Sequence, residues 1–222
     1  MISLILAESA LELVPENLHK HASVVSHAQK LKKNPSEILL DNSWHFAAMK
    51  GIDNEIKRGR PDLVHFCILE ATTIPLYKKN KIKLYIHTID DKVIHFGENV
   101  NIPKSYHRFE GLIEKLFLEK SIESNGNTLL ETKNQSFSEL IDEINPTKTV
   151  GLSSKGKKLS FGNIASGIPD NCCLVVGGFQ KGQFSDKVLK KIDQLVSIDD
   201  SSFEAHVVIA RILYEYEKTI FM

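Results

Sequence analysis

The sequence has few cysteines and no pair of them spaced for a metal. Three cysteines occur among 222 residues, and two of them, Cys172 and Cys173, are neighbours. An odd count with two adjacent cysteines inside an apparent strand argues against a disulfide scaffold and predicts a reducing compartment. No CxxC pair occurs, which disfavours a structural zinc site. We therefore expect neither a disulfide framework nor a bound metal.

Long apolar runs are also missing. No run approaches the roughly 18 residues that suggest a membrane helix, so we expect no membrane span. The first eight residues, MISLILAE, begin without basic residues and reach an acidic one quickly. This pattern indicates a buried first strand and not a signal peptide. These features together predict a cytoplasmic protein.

Charge of one sign is not in excess, because Lys+Arg and Asp+Glu both count 28. Global charge would therefore not attract nucleic acid, and any such binding must use a local basic patch. A hydrophobic content of 42% with 25% charged residues is typical of an ordinary globular protein. The length suits one large domain or a core domain with an insertion.

The most informative stretch runs from Lys57 to His65 and reads KRGRPDLVH. Gly59 frees the backbone and Pro61 restricts it, so we predict a shaped loop and not a helix. Two guanidiniums on a rigid turn suit phosphates or base edges, because arginine presents a planar fork of donors. Asp62 could hold Arg60 in one orientation. A solvated basic turn beside a strand explains the pattern equally well.

Strand and helix patterns alternate along the chain, which predicts an α/β fold with a mainly parallel sheet. In the helix predicted from Trp44 to Ile52, capped by Asn42 or Ser43, core positions are expected at Trp44, Ala47, Ala48 and Ile52. The polar segment Ser121–Thr128 is predicted to be a loop and is the best candidate for a subdivision. Strands are predicted at residues 1–8, 81–88, 93–96, 147–152, 172–176 and 195–198, and helices within 10–34, at 44–52, from 105 and at 203–221.

Three loops rich in Gly, Ser or Asp follow predicted strands, at residues 151–156, 177–182 and 197–202. In parallel sheets ligands bind outside the carboxyl ends of the strands, and glycines let a ligand approach the main chain. The second loop has neither P-loop nor GxGxxG spacing. A structural turn accounts for its glycines as well as a ligand site does.

Lys104 and Arg108 lie near the start of the helix predicted from Ser105. Cations there oppose the helix dipole at a cost of roughly 0.3–1 kcal/mol, which a phosphate bound at the same end would offset. Three histidines, His45, His65 and His87, lie in or beside apolar segments, where hydrogen-bonded core histidines are more common than catalysts.

These motifs, in this order, resemble one family closely. The matching segments are LDNSWH at 40–45, RGRPD at 58–62, YIHT at 85–88, IPKSYHRFEGL at 102–112, GGF at 177–179 and VSI at 196–198. They are similar to the ribosome-biogenesis pseudouridine N1-methyltransferases of the SPOUT class, in a short, archaeal-like form. The resemblance extends from Met1 to about Glu217.

The resemblance implies a single α/β domain over residues 1–222 with a mainly parallel SPOUT-like sheet and a C-terminal trefoil knot. It implies a β-rich and helical extension around 41–110 that contributes RNA-binding surface, and a knotted cofactor region around 147–222. S-adenosylmethionine would be the cofactor, and the enzyme would be a homodimer that methylates a pseudouridine at N1 in a small-subunit ribosomal RNA hairpin. Contacts with small-subunit ribosomal proteins, and a nucleolar location in a eukaryote, are further expectations.

Site residues follow from the same resemblance. Arg60 and Asp62 are expected in catalysis, with Asp62 holding Arg60, and RNA contacts are expected at Arg60, Lys104 and Arg108. The expected cofactor-binding residues are Gly177, Gly182, Val196, Ser197, Ile198, Asp199, Asp200 and Ser201.

Two departures from the family pattern affect these expectations. The family often has arginine where this chain has Asn101 and Lys104, which would lose one phosphate contact and weaken another. An aromatic or larger residue is expected where this chain has Asp199. The alternative function is a non-catalytic assembly factor that binds the same RNA. A small-molecule methyltransferase would leave Arg60, Lys104 and Arg108 without a purpose.

Overall fold

The computed structural model describes residues 1–199 and 201–221, and within them eight strands form one sheet. The strands are β1 (Ile2–Ser9), β2 (Ile82–Thr88), β3 (Lys92–Phe96), β4 (Ser121–Ser124), β5 (Asn127–Asn134), β6 (Lys148–Lys158), β7 (Cys172–Gly177) and β8 (Gln194–Ser197). Their order in the sheet is β4-β5-β3-β2-β1-β7-β6-β8. Strands β2, β1, β7, β6 and β8 pair in parallel, and β3, β5 and β4 add an antiparallel edge. The predicted α/β fold with a mainly parallel sheet is confirmed.

Helices connect the strands and cover the sheet. They are α1 (Ala22–Leu31), α2 (Asn42–Met49), α3 (Pro61–Thr72), α4 (Pro75–Lys78), α5 (Tyr106–Glu119), α6 (Phe137–Ile144), α7 (Phe161–Ser166), α8 (Asp186–Leu189) and α9 (Ala205–Phe221). Short 3-10 turns occur at Glu16–Leu18, Pro35–Glu37 and Glu55–Lys57. Among the described residues, no helix is both long enough and apolar enough to span a membrane.

Strand β1 lies in the middle of the sheet, and its side chains alternate between two cores. Leu4 pairs with Leu84 of β2 on one side and Leu174 of β7 on the other. Leu4 joins a core that includes residues of α3, α5 and α9, whereas Ile5 joins a core that includes residues of α6 and α8. Helices on both faces bury the central strands, which is why β1 and β7 read as nearly continuous apolar runs.

The basic stretch is a loop only as far as Arg60. Helix α3 begins at Pro61 and continues through Asp62 and His65, so the prediction of a loop over the whole stretch was wrong. Proline is tolerated at the first helical position, because the N–H that it lacks would have no partner inside the helix. Arg60 is consequently the residue that precedes the helix, and Asp62 lies in its first turn.

Two further local predictions were wrong. The segment Ser121–Thr128 is not a loop, because β4 and β5 form a hairpin around Asn125 and Gly126, and β5 extends the main sheet. In α2, Asp41 is the capping residue, since its Oδ1 accepts a hydrogen bond from the Ser43 N–H at 2.8 Å. The cap fixes the helix rotation so that His45, Ala48 and Met49 are buried, while Trp44 and Ala47 are exposed.

The predicted loop at residues 151–156 lies inside β6, where the chain runs against β8. Val196 pairs with Leu152 and, after a shift of register, with Lys157. Between them, Gly156 packs directly on the Val196 backbone, and a Cβ at Gly156 would lie 2.5 Å from the Val196 Cα. A glycine is therefore required at this crossing of two backbones. The trefoil knot itself stays a prediction.

Cys67, Cys172 and Cys173 are all free thiols and all buried. Burial in an apolar environment raises the pKa of the Cys172 thiol to about 11, and it also raises the pKa of Cys67 and Cys173. These thiols are protonated at neutral pH and are poor nucleophiles. Within the described residues, no group of three or more His, Cys, Asp or Glu side chains could hold a metal ion.

Candidate functional site

A cleft of about 460 Å³ opens at the carboxyl ends of β7 and β8, beside residues 152–154 of β6. This volume falls within the usual range for small-molecule sites, roughly 300–1,000 Å³. All three loops that the sequence singled out contribute to it. The expected cofactor residues that line the cleft are Gly177, Gly182, Val196, Ser197, Ile198 and Ser201. Asp199 does not line it, and Asp200 lies outside the described residues.

The third loop is shaped by its own side chains. Ser197 Oγ donates a hydrogen bond to the Asp199 carbonyl oxygen at 2.7 Å, and the Ser201 N–H donates to Asp199 Oδ1 at 2.8 Å. The Asp199 carboxylate thus supports the loop from outside the cleft. An aromatic side chain is not needed at this position to close the turn.

The glycine at 182 is needed for its backbone conformation. Gly182 has φ of +115°, a region that residues with side chains rarely adopt. A Cβ there would also lie 3.1 Å from the Cε of Lys57. The loop can therefore pass close to Lys57 only because position 182 is a glycine.

Sequence reasoning missed several residues that line the cleft. Phe179, Phe184 and Phe203 supply apolar surface, and Glu204 supplies a carboxylate just before α9. Phe179 directly follows the double glycine, so its position was visible in the sequence. The direction of its ring was not, because that depends on packing against Phe184 and Lys57.

The cations of the basic stretch have different partners. Lys57 donates to Glu8 Oε2 at 2.8 Å, and Arg58 Nε donates to Glu12 Oε1 at 2.7 Å. Lys57 is 8% exposed, so it is neither solvated nor available to a ligand phosphate. The idea of two free guanidiniums on this turn was wrong for Arg58, whose fork binds the Glu12 carboxylate.

Arg60 and Asp62 form a two-bond pair. Arg60 Nε donates to Asp62 Oδ1 at 2.8 Å, and Nη2 donates to Oδ2 at 2.9 Å. Burial alone would raise the pKa of Asp62, but the hydrogen bond and charge of Arg60 outweigh burial and lower it. The pKa of Arg60 is raised, chiefly by Asp62 and to a smaller extent by the charge of Glu204, which lines the cleft. The two bonds fix the orientation of the Arg60 guanidinium.

Lys104 and Arg108 flank the start of α5, and both are exposed. Within the described residues neither takes part in an ion pair or a side-chain hydrogen bond. The helix start is attached to its neighbours: His65 Nε2 donates to the Pro103 carbonyl oxygen at 2.7 Å, and the Tyr106 hydroxyl donates to Asp41 Oδ2 at 2.6 Å. The bond from His65 joins the start of α5 to α3, which follows Arg60, and the bond to Asp41 joins it to the N-terminal cap of α2.

The three histidines have structural hydrogen bonds. His45 Nδ1 accepts from the Asp41 N–H at 3.1 Å, and His87 Nδ1 accepts from the Glu8 N–H at 3.2 Å. Burial lowers the pKa of all three, and for His45 it acts together with the nearby charge of His27 to bring the pKa to about 4. The sequence-based view of His45, His65 and His87 as core histidines is confirmed.

This geometry defines a class of protein: an α/β protein with a small-molecule cleft at strand ends, an arginine oriented by a carboxylate, and a pair of exposed cations at a helix start. A family model described as EMG1/NEP1 methyltransferase matches residues 4–217. The chain belongs to the EMG1/NEP1 methyltransferase family.

Individual relatives agree with this assignment. A protein of Thermococcus onnurineus named "Ribosomal RNA small subunit methyltransferase Nep1" is 34% identical over 220 residues, which cover 98% of each chain. One of Sulfurisphaera tokodaii with the same name is 38% identical over 213 residues, which cover 96% of this chain and 94% of that one. A crystal structure of Archaeoglobus fulgidus Nep1 bound to S-adenosylhomocysteine is 32% identical, with a TM-score of 0.87 and 97% of each chain covered.

Proposed function

We propose that this chain transfers a methyl group from S-adenosylmethionine to small-subunit ribosomal RNA, with N1 of a pseudouridine as the acceptor. The observation that carries the proposal is the cleft formed by three strand-end loops, in a chain that shares its fold over 97% of its length with an S-adenosylhomocysteine-bound relative. The acceptor atom is inferred from the motif resemblance in the sequence.

The cleft has the chemistry that the cofactor requires. Val176, Ile198 and Val208 offer apolar surface for an adenine ring, and Ser153 and Ser201 offer hydroxyls for polar groups. Gly177, Gly182 and residues 196–198 line the cleft, where main-chain groups can read the edges of a base or a ribose. When bound, S-adenosylmethionine supplies an electrophilic methyl carbon, and the chain's own task is to hold and orient the reactants.

Arg60 is proposed to orient the target nucleotide. Its guanidinium is held by two bonds to Asp62, and its remaining N–H groups are free to contact an acceptor on the RNA. Asp62 is a poor proton acceptor, because both of its oxygens bind Arg60 and its pKa is lowered. We therefore assign Asp62 a positioning role.

Lys104 and Arg108 are proposed to contact RNA phosphates. They lie at the N-terminal end of α5, whose dipole also favours anions, and they have no competing carboxylate among the described residues. Asn101 is exposed just before them, so the phosphate contact that the family often makes there is not expected in this chain. The substrate would be a hairpin loop, where a base can be turned out of its stack.

A homodimer, contacts with small-subunit ribosomal proteins, and a location in the cytoplasm or nucleolus are parts of the same proposal. Helix α9 carries apolar residues on more than one side, a pattern that is compatible with burial in a dimer interface. Val208, Ile209, Ile212 and Leu213 are in fact buried within the chain, in the core shared with α3. The dimer therefore needs independent evidence, and light scattering at micromolar concentration that finds a stable monomer would contradict it.

The decisive experiment is mass spectrometry of small-subunit rRNA from cells with and without this gene. We expect one methylated pseudouridine to be absent in the deletion and restored by the wild-type gene. Purified protein should then methylate rRNA from the deletion strain with labelled S-adenosylmethionine. Unchanged rRNA together with a small-subunit assembly defect, and no binding of the cofactor by calorimetry, would instead support the non-catalytic assembly factor.

A further inference from the structure

Lys57 belongs to the stretch that carries Arg60, and it contacts a residue that lines the cofactor cleft. Its ammonium donates to Glu8 Oε2 at 2.8 Å and lies 4.6 Å from the centre of the Phe179 ring. Phe179 lines the cleft. The side chains of Lys57 and Glu8 are only 10% and 12% exposed, so the contact is largely shielded from water. A shielded ion pair beside an aromatic face is stronger than the same contact at the surface.

The cofactor loop is attached to this ion pair at two more points. The stem of Lys57 packs against Gly182, where a Cβ would lie 3.1 Å from Lys57 Cε. The Ser185 N–H donates to Glu8 Oε2 at 3.2 Å, just after the last of the loop's cleft residues. Movement of residues 179–185 around a ligand therefore acts directly on Lys57.

The path from Lys57 to Arg60 has little freedom. Lys57 ends a 3-10 turn, in which its N–H donates to the Asn54 carbonyl oxygen at 2.8 Å. Arg58 is bound to Glu12, and the Gly59 carbonyl oxygen accepts from the Asn42 N–H at 2.9 Å. Arg60 follows at once. Only two residues, Arg58 and Gly59, separate Lys57 from Arg60, and both are held, so the position of Lys57 helps to set the position of Arg60.

We propose that Lys57 is a positioning residue that couples the cofactor cleft to Arg60, so that cofactor and RNA bind cooperatively. Closing of the cofactor loop on its ligand secures Phe179 and Ser185 against Lys57 and Glu8, and this in turn holds Arg60 in its RNA-binding position. The coupling must be reciprocal, because each ligand stabilises the same arrangement of the loop. The proposal rests on the proposed function, in which the cleft binds the cofactor and Arg60 binds RNA.

The test measures the affinity for in vitro transcribed small-subunit rRNA by filter binding, with and without saturating S-adenosylhomocysteine. Wild type should show a coupling factor within the typical range, roughly 5- to 150-fold. Lys57→Met keeps the stem but removes the charge, and it should bring the factor close to one. Lys218→Met is the matched control. Lys218 also pairs with a carboxylate, Glu215, and lies over an aromatic ring, that of Tyr214, but it belongs to the C-terminal part of α9 and is no part of the path to Arg60, so this variant should keep the wild-type factor.

Phe179→Leu is a second variant in case Lys57→Met does not fold. It removes the aromatic face and leaves the Lys57–Glu8 pair, and it should lower the coupling factor as well. A wild-type factor close to one, with both ligands bound, would overturn the coupling and leave the proposed function intact. Equal losses in Lys57→Met and Lys218→Met would overturn it too, because they would indicate a general loosening of the chain. Failure of wild type to bind either ligand would overturn both proposals.

Discussion

Replacing Gly156 by alanine should damage the crossing of β6 and β8 and, through it, the cofactor cleft. The new Cβ would lie 2.5 Å from the Val196 Cα and closer still to the Val196 N and C atoms. Carbon atoms in contact are normally about 3.5–4.0 Å apart, so the two backbones must separate by roughly 1 Å. None of the three Val196 atoms (N, Cα and C) can rotate away from the new Cβ, because all three belong to the main chain. Val196 and the adjoining Ser197 line the cleft and would move with it.

Overpacking in a dense interior costs typically about 1–3 kcal/mol, and backbone crowding places this substitution near 3 kcal/mol. For a chain of this size, about 2–4 °C of melting temperature corresponds to each kcal/mol, so the melting temperature should fall by about 6–12 °C. Gly162→Ala is the control. It lies in α7, where the nearest atom to a new Cβ is 3.6 Å away, and alanine favours a helix over glycine by about 1 kcal/mol.

The assay is differential scanning calorimetry of wild type and both variants, followed by titration with S-adenosylhomocysteine. Gly156→Ala should lower both the melting temperature and the affinity for S-adenosylhomocysteine. Gly162→Ala should slightly raise the melting temperature and leave the affinity unchanged. A melting temperature for Gly156→Ala within about 2 °C of wild type would refute the reasoning, because it would correspond to a loss of less than about 1 kcal/mol in the free energy of unfolding. It would mean that the two strands separate without cost.

Four other predictions address the cleft, the RNA surface and the buried histidines. Valine at position 182 cannot easily adopt φ of +115°, so Gly182→Val should weaken S-adenosylhomocysteine binding by at least about tenfold, which corresponds to about 1.4 kcal/mol. Unchanged calorimetric binding by the folded variant would contradict the assignment of this loop. Arg60→Ala should abolish methylation and weaken specific RNA binding by about 1–3 kcal/mol. Asp62→Gly should reduce RNA binding much less in the Arg60→Ala background than in wild type. Intact methylation of saturated RNA by Arg60→Ala would show that Arg60 is only a phosphate contact. Arg108→Ala should weaken binding to all RNA alike and reduce the slope of log K against log salt by about one, whereas an unchanged slope would argue against a phosphate contact. Because the pKa of His45 is about 4 in the folded chain and about 6.5 when unfolded, its contribution to the free energy of unfolding is complete above about pH 6.5 and is lost as pH falls towards 4. Urea denaturation at several pH values should show this loss, and His45→Asn should show a smaller one.

Local patterns predicted the elements whose residues repeat with a clear period. Strand β2 was evident because Ile82, Leu84 and Ile86 alternate with polar residues, and all three are buried. The start of α5 at Tyr106 and its buried residues Phe109 and Ile113 also followed from helical spacing. The start of α3 was missed because Gly59 and Pro61 suggested a continuous loop. The β4–β5 hairpin was missed because β4 is short and both strands are rich in polar, exposed residues.

For the candidate site too, some features could be predicted from the sequence. Position after a strand was enough to predict that the loops around Gly177, Gly182 and Ser197 would meet, because the carboxyl ends of parallel strands lie at one edge of a sheet. The Arg60–Asp62 pair was also within reach of the sequence, since the two residues are two positions apart.

The partners of the neighbouring cations were decided only by the tertiary structure. Lys57 and Arg58 look as available as Arg60 in the sequence, but they are bound to Glu8 and Glu12, which lie 49 and 46 residues away along the chain. No local periodicity records a pairing over such a distance, because it depends on how β1 and the 3-10 turn Glu55–Lys57 are placed by the whole fold. The sequence by itself determined which groups could carry charge to a ligand. Burial and long-range ion pairs then decided that Lys57 and Arg58 are held by Glu8 and Glu12 inside the fold, whereas Arg60 pairs with its close neighbour Asp62.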